Sequence, residues 1–116
     1  MNVAFDSRRP RRAGDRSAAD ILDRVCDQFA LEDIALVKMN IEGAERSALA
    51  GMNATIGHVR NICVACHDFK AEKGEGEFFR TRRLTETFLK ESGFAIERRS
   101  HDARDYVRDH VIARRV

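Results

Sequence analysis

Long hydrophobic runs are missing from this chain. Its apolar stretches are strand-sized, short of the roughly 20 consecutive apolar residues a membrane helix needs, so no bilayer span is expected. Charge of one sign is missing too: 21 lysines and arginines stand against 19 acidic residues, a formal +2. So weak a field argues against a binder driven by attraction to nucleic acid or an anionic membrane. The first residues hold no apolar signal region and run instead into arginines, so no export signal is read there. Cysteine is scarce and odd in number, three in all; without export this points to free thiols in a reducing, cytoplasmic setting. Glycine is scarce in the first third of the chain, where only Gly14 precedes Gly43.

What is present suits one modest globular domain: 116 residues, 43% of them hydrophobic and 34% charged, enough for a core but short for two domains. Residues 1–17 carry Arg8, Arg9, Arg11, Arg12 and Arg16 with Pro10, Gly14 and few apolar side chains. Such a segment cannot bury itself, so a disordered tail is expected there and the folded domain over 18–116. Ile21, Leu22, Val25 and Phe29 recur at helical spacing. Ile34 to Val37 form a continuous apolar run, the pattern of a strand covered on both faces. Residues from Ala44 to about Ala50 return to helix, ended by Gly51. "NICVACH" is a second buried strand, and "KAEKGEGE" a charged, glycine-containing loop. Leu84, Phe88 and Leu89 mark a helix from Thr81 to Gly93. Phe94, Ile96 and Arg98 alternate as a third strand, and Tyr106, Val107 and Val111 suggest a fourth. This order predicts an α/β fold of about four strands, a parallel pair plus antiparallel end strands.

Cys63-Val64-Ala65-Cys66-His67 fits C-x-x-C-H, a pattern that can attach haem or begin a metal site. In a strand, however, side chains alternate, so Cys63 and Cys66 point to opposite faces and cannot jointly hold one group. They read as packing residues, and no metal is expected.

"IALVKMNIEGAERSALAGM", Ile34 to Met52, resembles the signature of FkbM-type methyltransferases, in which an apolar strand ends in Lys-x-Asp-x-Glu-Gly-x-Glu and leads into a helix. Lys38, Glu42, Gly43, Ala44 and Glu45 match it. The likeness continues through "CHDFKAEKGEGEFFRTRRLTETFLKESGF" and "YVRDHVIARR". It implies the C-terminal portion of a Rossmann-like class I methyltransferase sheet, S-adenosylmethionine as cofactor, and a small-molecule hydroxyl of a sugar or secondary metabolite as acceptor. The signature's acidic position is Asn40 here, an amide that can position a substrate but cannot take a proton. The strand and glycine-rich turn that approach the cofactor in such enzymes find no counterpart before Ile34. The resemblance therefore implies a truncated or split form with little activity alone, completed by a missing N-terminal half or by a homo-oligomer. Ile34 to Met39 would then be an uncapped edge that pairs with another chain; a non-catalytic partner pairing through that edge is the alternative.

In open α/β sheets, ligands sit outside the carboxyl ends of the strands. That places Asn40, Glu42 and Gly43 at one strand end as substrate- or cofactor-binding residues, and His67 and Asp68 at the next as the catalytic pair. Methyl transfer to a hydroxyl is an in-line displacement that needs alignment and a group to remove the hydroxyl proton. His67, titrating near neutrality, is the expected base, and Asp68 its orienting partner. His110 is placed facing substrate. Glu45 is read as favouring the positive start of the following helix, and Phe78, Phe79 and Arg80 to Arg83 as a binding rim or a solvated helix start.

Overall fold

A computed structural model describes residues 2–6 and 18–116. Its elements are β1 (Asn2–Asp6), α1 (Ala18–Gln28), β2 (Ile34–Asn40), α2 (Glu45–Ala50), β3 (Val59–Ala65), α3 (Asp68–Glu72), α4 (Arg82–Glu91), β4 (Phe94–Arg98), α5 (Asp105–Arg108) and β5 (His110–Arg115). The five strands form one sheet in the order β1-β2-β3-β5-β4. β1, β2 and β3 run parallel, and β5 lies antiparallel between β3 and β4. The sheet is thus the mixed α/β arrangement expected, with one strand more.

That extra strand corrects the reading of the first 17 residues. Asn2–Asp6 pairs in register with β2, Val3 opposite Val37 and Asp6 opposite Asn40. Ile34 to Met39 is therefore not an edge: β1 and β3 flank it on its two sides. The physical reason is the unfilled row of N–H and C=O groups on β2, which even a five-residue strand can satisfy. The rest of the expected tail, residues 7–17, lies outside the described residues.

Three crossovers, β1 to β2, β2 to β3 and β3 to β4, all step in the same direction across the sheet. Right-handed crossovers that never reverse direction place their helices on one face. Accordingly Leu22 and Cys26 of α1, Ala48 and Leu49 of α2 and Leu89 of α4 share a single core with Val37, Met39, Ile62, Val64, Val111 and Ala113. Strand alternation sends Leu36, Lys38, Cys63, Ile112 and Arg114 to the other face. There Leu36, Cys63 and Ile112 are half-buried, and Lys38 and Arg114 are exposed. A shallow hollow of about 270 Å³ runs over Leu36, Cys63 and Ile112 on that face. β2 is thus covered on one face by the described residues, not on both. Cys63 lies on the open face and Cys66 in the core, as alternation requires.

Two shorter segments also depart from expectation. Asp68–Glu72 is a helical turn where the charged loop was expected to begin. Tyr106 and Val107 belong to the turn α5, because pairing of β5 starts only at His110, opposite Ala65. Among the described residues no helix is long and apolar enough to cross a membrane.

Candidate active site

β1, β2 and β3 end at one edge of the sheet, and β5, running the other way, begins there. This edge gathers Asn40, Glu42 and Gly43 after β2, His67 after β3, and Asp109 and His110 at the start of β5. By alternation from Lys38 and Ile112, Asn40 and His110 fall on the open side of the sheet; His67, just past the end of β3, is near enough for its charge to reach His110.

The turn after β2 is unusual backbone. Glu42 has φ +49° and Gly43 φ +101°. A non-glycine residue in the left-handed region is held there by its surroundings and marks sites where geometry matters. Gly43 is also sterically required: a Cβ at this position would overlap two ring carbons of Phe78. Glu42 meets Lys70 Nζ at 3.5 Å, and that ammonium sits 5.0 Å above the Phe79 ring.

Burial pushes the His67 ring below its ordinary pKa, against the opposing pull of Glu42. Burial, with the charges of His67, Lys38 and Arg99, lowers His110 as well. Both imidazoles are therefore held toward the neutral form, which accepts a proton. Three atoms in and around this turn have no hydrogen-bond partner although sealed from solvent: Asn40 Oδ1, His67 Nδ1 and, at the start of α2, Glu45 Oε1. Buried polar atoms are almost always paired, so each orphan calls for an explanation.

Asp68 does not orient His67. Its Oδ1 accepts the N–H groups of Thr81 and Arg82, both at 3.0 Å, and so caps α4. The carboxylates whose charge reaches the His67 ring are Glu42 and Asp109. Asp109 is an anchor that sequence reasoning missed. Its Oδ2 accepts the Phe69 N–H at 2.8 Å, and its Oδ1 accepts from Arg82 Nη1 at 2.9 Å. Burial nevertheless raises its pKa. Glu45 is likewise internal and not simply a charge near a helix start. It is fully buried, its Oε2 accepts the Thr81 hydroxyl at 3.3 Å, and burial pushes its pKa up. The Cys66 thiol donates toward Thr85 Oγ1 at 3.7 Å and is pushed up to about 12 by burial, so it stays protonated.

The model of the methyltransferase FkbM domain matches residues 20–105. The chain belongs to the FkbM methyltransferase family. The match takes in Asn40, Glu42, Gly43, His67 and Asp68. β1 and β5 fall outside it, and with them Asp109 and His110. Comparison with curated proteins and with solved structures finds no match. Among the candidates, Asn40, Glu42, Gly43, His67 and His110 share the FkbM sheet edge, and only Asp68 is turned to another task.

Proposed function

We propose that this chain carries out the acceptor side of S-adenosylmethionine-dependent O-methylation, on a hydroxyl of a sugar or secondary metabolite. The observation that carries the reading is the pair of sealed, unpartnered atoms, Asn40 Oδ1 and His67 Nδ1, at the signature edge. Hydroxyl groups are the ligands that satisfy such atoms once the side chains turn to expose them, since a hydroxyl both donates and accepts. His67, kept neutral by burial, takes the hydroxyl proton; Asn40 holds a neighbouring hydroxyl in place and cannot itself act as base.

The cofactor supplies an electrophilic methyl group when bound. The fit to it is one-sided. β1 ends beside Asn40, but the connection that follows, residues 7–17, contains the single glycine Gly14 and is no glycine-rich cradle. Weak cofactor affinity and little or no turnover at micromolar cofactor follow for the chain alone.

The test is label transfer from methyl-labelled S-adenosylmethionine at millimolar concentration to a panel of sugars and hydroxylated metabolites. Slow transfer to oxygen is expected, and His67→Gln should lower it about 100-fold, the smaller end of a general base's contribution. The rate should rise with pH and level off below the ordinary imidazole value of 6.5, because burial depresses His67. Transfer that survives His67→Gln unchanged overturns the role of the base. Micromolar cofactor affinity by calorimetry overturns the one-sided fit.

A further inference from the structure

Phe78 is the large apolar side chain that stands out at this edge. It is 65% exposed, yet it is not loose. One side of its ring lies directly on Gly43, the residue after Glu42. Phe79 meets it edge-on, ring centres 5.8 Å apart at 73°. Phe79 is in turn covered by Lys70, which reaches Glu42. The loop that presents the two rings leaves α3 through Gly74 and Gly76, both at positive φ. A flat apolar surface is thus backed by the signature turn and bordered by a carboxylate and an ammonium.

We propose that Phe78 is the platform on which a sugar ring stacks as the acceptor, with Glu42 and Lys70 taking hydroxyls at the ring's rim. This rests on the hydroxyl-methylation reading and narrows its substrate class. A pyranose offers an apolar C–H face to an aromatic ring and, around its edge, several hydroxyls that both donate and accept. Glu42 supplies acceptors and Lys70 donors, the two meeting at 3.5 Å between the signature turn and the neighbouring Phe79 ring. A flat phenolic metabolite would cover Phe78 equally well but would engage this charged pair with one or two groups only. The occupant that uses every feature of the surface is therefore a sugar. Asn40 and His67, further into the edge, then meet adjacent hydroxyls of the same ring.

The experiment is saturation-transfer NMR and competition binding on the full chain, with methyl pyranosides and catechol as the probes. Saturation concentrated on the C–H protons of one pyranose face is expected. Phe78→Ala should weaken pyranoside binding about three- to tenfold, the worth of an aromatic contact beyond simple burial, and Phe78→Tyr should restore it. Urea unfolding of each variant, little changed because Phe78 is mostly exposed, separates this from misfolding. Equal binding by Phe78→Ala overturns the platform, as does tighter binding of catechol than of every pyranoside. Methyl transfer by the parent tells the two readings apart. If pyranoside binding depends on Phe78 but methyl transfer never occurs, the platform stands and the O-methylation reading fails. If transfer occurs but binding ignores Phe78, the reverse holds.

Discussion

Replacing Asp68 separates a capping carboxylate from a catalytic one. Its Oδ1 takes two backbone N–H groups at the start of α4, each at 3.0 Å, in a side chain only 5% exposed. Asp68→Ala leaves both donors without an acceptor, and Thr81 is itself buried. Loss of an N-terminal cap costs about 0.5–2 kcal/mol, and a buried donor left unsatisfied about 1–3 kcal/mol. These describe the same two N–H groups, so they overlap, and about 2–3 kcal/mol is the reasoned total. With a urea dependence of about 1–3 kcal/mol per molar, the unfolding midpoint should fall by about 1–2 M. Asp68→Asn keeps an oxygen where the N–H groups point and should lose less than about 1 kcal/mol.

The decisive reading comes from His67 in the same Asp68→Asn protein. The charges acting on that ring come from Glu42, Lys70 and Asp109. NMR titration of His67 should therefore be unaltered by the loss of the Asp68 charge. A displacement of a whole pKa unit, about 1.4 kcal/mol of interaction, would restore Asp68 as the orienting partner and refute the capping assignment. Asp68→Ala unfolding at the parent's urea concentration would refute the stability reasoning separately.

Two further substitutions test how the turn after β2 is held. Gly43→Ala puts a Cβ 3.1 Å from the Phe78 carbonyl, which cannot swing away as the ring can, at φ +101°. A loss of about 2 kcal/mol, read as a melting point lower by about 10 °C, is expected; an unchanged melting point contradicts the close approach. Glu45→Gln probes the buried carboxyl through pH. The folded pKa lies above the ordinary 4.5, so the native state binds this proton more tightly than the unfolded chain. Its stabilisation is complete below 4.5 and lost as pH rises through the folded value. The glutamine variant should therefore gain on the parent at neutral pH, and that advantage should vanish as pH falls toward 4.5; a difference independent of pH contradicts it.

The parts of the fold legible in the sequence are those set by local pattern. β2, β3 and β4 announce themselves by apolar runs or alternation, and Gly51 and Gly93 stand where α2 and α4 end. β1 was hidden because its five residues are averaged with the arginines that follow. What calls it into the sheet is the open flank of β2, a partner about 30 residues away. The site shows the same division. Asn40, Glu42, Gly43 and His67 follow from the signature and from strand ends. Asp68 and Glu45 read as local in role and Asp109 is missed because their partners are distant: Asp68 bonds 13 and 14 residues ahead, Glu45 reaches 36 and Asp109 reaches back 40. No window of local sequence contains those pairs.

Those three carboxylates explain how a site carried on loops can be precise. Glu45 fastens the start of α2 to Thr81, Asp68 fastens the end of β3 to the same helix start, and Asp109 fastens the beginning of β5 to Phe69 and Arg82. The segments bearing Glu42, His67 and His110 are thus tied together around the first turn of α4. Asp68 and Asp109 spend their charge on the chain's own N–H and guanidinium groups, whereas Glu45 gives Oε2 to the Thr81 hydroxyl and keeps Oε1 unpaired. Asn40 and His110 face the side of the sheet that the one-directional crossovers leave uncovered, and His67, bonded to the Ala65 backbone, keeps its Nδ1 unpaired beside them. The positioning carboxylates and the candidate chemical groups are therefore different residues, one to three places apart in the sequence. For that reason, substitutions at Asp68 or Asp109 should register first in stability, and those at His67 first in proton transfer.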